Sequence, residues 1–142
     1  MGDFISDLFT FLENASEKLF VPKAAILFRC GDKSFGTFLV VSGEIGVDYE
    51  EGILARRNYG PGALIGLPAT LTKGNYSMTA TVIESGEFGF LSSAALDSLI
   101  RGNPALSQQL LALLIEKALE MDRLKRAMLE RSPPLASESN IV

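Results

Sequence analysis

Between residues 3 and 20 the apolar side chains Phe4, Leu8, Phe11, Leu12, Ala15 and Leu19 recur at helical spacing, with Asp3, Asp7, Glu13 and Glu17 between them. That arrangement predicts an amphipathic helix over 3–20, ended by Pro22. From residue 21 to 91 the texture changes to short β-branched and aromatic runs broken by glycine at 31, 36, 43, 46, 52, 60, 62, 66, 74, 86 and 89. Strands and turns punctuate a chain in this way. Ile45, Val47 and Tyr49 alternate with Glu44, Gly46 and Asp48, as one strand with a buried and a wet face requires, whereas Phe35 to Val41 is apolar on both faces and suits an interior strand. Many closely spaced strands without intervening helices predict a sandwich or roll.

After Leu91 the period lengthens. Ser92 or Ser93 can cap a short helix with Ala95, Leu96, Leu99 and Ile100 on one side, and Gly102-Asn103-Pro104 stops it and starts another. The last helix is predicted from Pro104 to about Arg131. Leu110, Leu114, Lys117, Met121, Leu124, Met128 and Arg131 follow a four-three alternation along it, a heptad seam. Leu111, Leu113, Ile115 and Leu119 add a second apolar face in its first half. That half is expected to pack on the domain, leaving the second half for a partner helix. Ser132-Pro133-Pro134 breaks the helix, and the polar stretch 132–142 is expected to be a disordered tail.

At 142 residues, 47% hydrophobic and 21% charged, the chain has the size and composition of one globular domain, taken as 1–131. Thirteen basic residues against 17 acidic ones leave a net charge of −4, so no global basic field attracts nucleic acid. The chain contains no histidine and one cysteine, Cys30. A Ser-His-Asp triad, a Cys-His pair, an intrachain disulfide and a Cys/His zinc site are thereby excluded, and no metal site is expected. The acidic start argues against a secretory leader, and no apolar run approaches the roughly 20 residues a bilayer requires, so a cytoplasmic protein without membrane attachment is expected. The Gly60 to Gly66 stretch misses the dinucleotide spacing, Gly31-Asp32-Lys33-Ser34 lacks the P-loop Gly-Lys, and no Gly-x-Ser-x-Gly occurs.

Four stretches combine into something more specific: Phe28-Arg29-Cys30-Gly31-Asp32, Phe38 to Ile45 with Ser42-Gly43, Tyr59-Gly60-Pro61-Gly62 to Gly66, and Thr79-Ala80-Thr81-Val82. In order and spacing they resemble the cyclic nucleotide-binding domain over about residues 18–131. The resemblance implies a mainly β fold with flanking helices: a helical element over 3–20, a jelly-roll β-roll over 21–91, then a short helix and a long C-terminal helix within 92–131. Gly43 and Gly62 are expected at turns needing positive φ.

The resemblance places a phosphate-binding cassette at Gly66, Leu67 and Ala69, the loop carrying Lys73, and Met78, Thr79 and Ala80. The family's ribose-binding Glu falls on Leu67 and its phosphate-binding Arg on Met78. Losing a buried Arg–phosphate pair, at about 1.5–3 kcal/mol per charge-assisted bond, costs at least about tenfold in affinity. Three outcomes stay open: an apolar small-molecule ligand, no ligand, or weak cyclic nucleotide binding with Lys73 replacing the Arg. No resident cofactor is expected. The resemblance implies a non-enzymatic sensing or regulatory module that pairs as a homodimer through its last helix and signals to a protein partner. No helix-turn-helix follows within this sequence, so direct DNA binding is not expected.

Overall fold

The computed structural model describes residues 3–49, 56–129 and 142, without the side chains of 3–7, 117, 118 and 120–129. Helix α1 (Asp3–Ala15) leads into strands β1 (Glu17–Val21), β2 (Ile26–Phe28), β3 (Gly36–Val40), β4 (Glu44–Tyr49), β5 (Arg57–Tyr59) and β6 (Leu64–Ile65). Helix α2 (Leu67–Thr72), strands β7 (Met78–Glu84) and β8 (Gly86–Ser92), and helices α3 (Ser93–Arg101) and α4 (Pro104–Leu129) complete the order. The strands form two four-stranded sheets, β1-β8-β3-β6 and β2-β7-β4-β5, antiparallel throughout. This is the expected mainly β roll with flanking helices. Gly43 and Gly62 adopt the expected positive φ, 95° and 96°.

The doubly apolar Phe35–Val41 run acquires its reason in the layering. Phe38 and Val40 on β3 face the opposite sheet and join Phe28, Ile45, Val47 and Phe88. Leu39, between them, faces the other way and packs with Leu8 and Leu12 of α1, Leu67 of α2, Leu96 of α3 and Leu110 of α4. Strand β3 is thus buried on both faces, by the second sheet and by the helices, and a strand in such a position cannot alternate polar and apolar residues. The helix junctions use the predicted caps. Ser92 Oγ accepts the Ala95 N–H at 3.1 Å, and Asn103 Oδ1 accepts the Leu106 N–H at 3.1 Å with Pro104 starting α4.

Two elements differ from the sequence reading. The first helix stops at Ala15, where Ser16 folds back with both its N–H and its hydroxyl donating to the Glu13 carbonyl. Residues 17–21 become β1, which pairs with β8 from Glu17 opposite Phe90 to Val21 opposite Gly86. Leu19 therefore lies on a strand: its apolar repeat mimics a further helical turn, but sheet pairing wins. The second difference concerns α4. Leu110, read as part of a free seam, is 1% exposed beside Leu106 and Leu113 in the core beneath the helices. Leu111, Ile115 and Leu119, read as facing the domain, are 58%, 55% and 60% exposed. The side chains of Lys117, Met121, Leu124 and Met128, and all of 130–141, lie outside the described residues. Val142, which the sequence reading placed in the disordered tail, is 4% exposed and belongs to the core between the sheets. Among the described residues no helix is long and apolar enough to cross a membrane.

Candidate functional site

The site grows from a turn between β6 and α2. Gly66 sits there at φ 86°, ψ 10°, a left-handed conformation that favours glycine. A Cβ at this position would also come within 3.0 Å of the Tyr76 ring and 3.3 Å of Phe28. The Thr70 hydroxyl closes the turn by donating to the Gly66 carbonyl at 2.7 Å, and Thr37 Oγ1 donates to the Ile65 carbonyl at 2.9 Å.

Tyr76 is the post around which the cassette is built. Its ring stacks on Phe28 with centroids 3.6 Å apart and meets Phe35 edge-on at 5.6 Å. Its hydroxyl donates to the Gly36 carbonyl at 2.6 Å and accepts from the N–H groups of Phe35 and Gly36 at 3.1 and 3.2 Å. Backbone bonds clamp the same loop: Gly31 N–H to the Tyr76 carbonyl, Tyr76 N–H to the Asp32 carbonyl, and Ser34 Oγ to the Ala69 carbonyl. The sequence reading gave Tyr76, which falls between the Lys73 loop and Met78, no role of its own. The signal available was an aromatic residue between Asn75 and Ser77, one turn from the glycine-rich segment.

Between α2, the ends of β4 and β7, and α4 lies a cavity of about 350 Å³. Gly66, Pro68, Ala69 and Thr72 wall it on the α2 side, Tyr76, Ser77 and Met78 on the β7 side, and Tyr49 and Leu114 from β4 and α4. None of these described lining residues is Lys, Arg, Asp or Glu, so the described wall is apolar with a few hydroxyls.

Of the predicted site residues, Gly66, Ala69 and Met78 meet at this cavity. Leu67 is fully buried in the core beneath the helices, directed away from it. Ala80 is fully buried between the sheets, and Thr79 Oγ1 accepts the Cys30 N–H at 2.9 Å. Lys73 takes a left-handed backbone, φ 60°, and reaches α3 instead, with Nζ donating to Asp97 Oδ2 at 2.5 Å and to Ser93 Oγ at 3.1 Å. Its charge is thus spent on tying the cassette to the helix that follows the roll. The remaining member of the site, Val142, lines the cavity from within. Its N–H donates to the Leu64 carbonyl at 3.0 Å, and its backbone oxygen accepts from Gly66 N–H at 2.5 Å and Leu67 N–H at 3.2 Å.

Comparison with known proteins agrees with this architecture. The catabolite activator protein of Thermus thermophilus superposes with a TM-score of 0.72 at 26% identity, over 87% of this chain and 59% of that one. A protein of a cyclic-GMP-dependent signalling pathway that regulates bacterial phytopathogenesis shares the fold at a TM-score of 0.72 and 22% identity, over 80% of this chain and 93% of that one. In sequence, patatin-like phospholipase domain-containing protein 7 of Mus musculus is 32% identical over 102 residues, covering 70% of this chain but only 8% of the mouse protein. The description of the cyclic nucleotide-binding domain matches residues 18–103, from β1 through α3. With the roll, the cassette turn and the succession of helices all in that order, the chain belongs to the cyclic nucleotide-binding domain family.

Proposed function

We propose that the domain is a non-enzymatic regulatory module whose cassette cavity takes an apolar small molecule, and in which cyclic nucleotide binding is weak or lost. One observation carries this reading: Met78 and its described neighbours give the cavity an apolar wall without a basic side chain, while Lys73 is engaged by Asp97. A cyclic phosphate seated there would give up its hydration with no counter-charge from the described lining residues in return. An apolar ligand would instead gain about 25 cal/mol for each Å² it removes from water. Ligand binding would reach the outside through α4, whose Leu114 touches the cavity while Leu110 and Leu113 root the same turns in the core. A ligand that prefers one position of α4 shifts the population toward it.

A second reading, association through α4 in a homodimer or with a protein partner, is favoured by the exposed Leu111, Ile115 and Leu119 on one side of the helix. A cytoplasmic location without DNA or membrane contact fits both readings. Calorimetric titration is the test of the first. With cAMP and cGMP no saturation is expected below micromolar concentration, while millimolar octanoate raises Tm by preferential binding to the folded state. Nanomolar saturation with cAMP would overturn the reading.

A further inference from the structure

The lining of the cassette cavity is graded in polarity. Its buried members are Gly66, Tyr76, Met78 and Val142, and its exposed members are Thr72 and Ser77, which places two hydroxyls at the mouth and an apolar surface behind them. The Tyr76 hydroxyl does not alter that gradient, because its three bonds to the backbone of Phe35 and Gly36 engage it fully and leave the ring for the cavity. The two hydroxyls at the mouth are not equivalent. Thr72 Oγ1 turns its proton back on α2, donating to the Pro68 carbonyl at 2.9 Å and more distantly to the Ala69 carbonyl at 3.4 Å, so toward a ligand it presents lone pairs. Ser77 Oγ directs its proton at Met78 Sδ, 3.7 Å away. A thioether is a weak acceptor, and an arriving oxygen takes that proton in its place.

One hydroxyl thus accepts and the other donates. A carboxylate can only accept and an ammonium can only donate, whereas an alcohol does both without carrying a charge. We propose that the cavity binds an aliphatic amphiphile tail first, with its chain against Met78 and the Tyr76 ring and an uncharged head that both donates and accepts, as a primary alcohol does, at Thr72 and Ser77. This names the ligand chemistry of the cavity and rests on the reading that the cavity is a ligand site. It also accounts for the millimolar range expected of octanoate, whose carboxylate accepts from Ser77 and has nothing to donate to Thr72. At about 350 Å³ the cavity encloses a short chain, and each methylene removed from water there tightens binding about fourfold.

The test titrates the whole chain, ¹³C-labelled at its methionine methyls, with 1-octanol and with its isomer 1-methoxyheptane, an ether of the same atoms that accepts but cannot donate. Both should shift the Met78 methyl resonance, and a Met78 methyl that stays in place while 1-octanol saturates the protein would overturn tail-first binding. Thr72→Val is expected to weaken 1-octanol about fivefold and to leave the ether unchanged, while Ser77→Ala weakens both about fivefold. Should Thr72→Val disturb α2, Ser77→Ala decides alone, since unchanged 1-octanol affinity in that variant would overturn the head contact. If 1-octanol binds the wild type and both variants alike while octanoate still raises Tm, the cavity reading stands and the assigned head group falls. If neither 1-octanol nor octanoate binds, the cavity reading itself falls and takes this proposal with it.

Discussion

Tyr76 carries more of the site than any residue singled out by family resemblance. Replacing it with Phe keeps the stacking on Phe28 but leaves the Phe35 and Gly36 N–H groups and the Gly36 carbonyl without their hydroxyl partner. The expected cost is about 1–3 kcal/mol, a fall in Tm on the order of 5 °C by calorimetry. The two cassette departures, which look alike in the sequence, have opposite structural meanings. Met78 borders the cavity, so Met78→Arg places a guanidinium where a phosphate can meet it and should raise cAMP affinity at least tenfold in a calorimetric titration. Leu67 lies in the core, and Leu67→Glu buries a carboxylate there, destabilising the fold by about 3 kcal/mol or more in urea titration without improving binding. The sequence could not separate them, because the left-handed turn at Gly66 decides which way residue 67 points. Nor did it mark Val142. Its only trace there was an Ile-Val pair closing a polar stretch.

Among the elements, those with strong local punctuation were legible and those defined by partners were not. Glycine-broken β-branched runs marked the roll, and Ser92 and Asn103-Pro104 marked the starts of α3 and α4 through bonds made within a few residues. The end of α1 was illegible because the apolar position at Leu19 serves a helix and a strand equally well, and only pairing with β8 chooses between them. The orientation of α4 was illegible for a related reason. Apolar residues at 110, 111, 113, 114 and 115 spread over about 200° of the helix circumference at 100° per residue, too wide an arc for the period to nominate an inner face. Charge placement on the second sheet yields a pH-dependent expectation. Hydrogen bonds from Arg56 hold the Asp48 carboxyl below the usual aspartate range, against an opposing desolvation and with a smaller contribution from the guanidinium charge. A lowered carboxyl pKa contributes stability above the ordinary aspartate pKa and loses it as pH falls through the depressed value. NMR titration of the Asp48 carboxyl should therefore show its midpoint rising toward the ordinary value in Arg56→Ala. The stability involved is small and screened by salt, since both side chains are over 40% exposed, 47% for Arg56 and 42% for Asp48.

The layered architecture separates two tasks that lie side by side on α4. Leu110 belongs to the core that joins all four helices, while Ile115 faces outward. Leu110→Ala should cost about 2–5 kcal/mol in thermal or urea unfolding. Ile115→Glu should leave the unfolding free energy of the protomer within about 0.5 kcal/mol, and sedimentation velocity should show loss of any self-association that uses this face. Beyond Leu114 the helix runs on to Leu129, about 22 Å, and this length has a mechanical consequence. Its fulcrum lies where Leu110 and Leu113 grip the core, and the cavity presses beside it through Leu114. A tilt of about 10° there displaces the far end by about 4 Å, given a rise of 1.5 Å per residue. Under the proposed regulatory reading, a side-chain adjustment too small to disturb the sheets would become a displacement of several ångströms at Leu129.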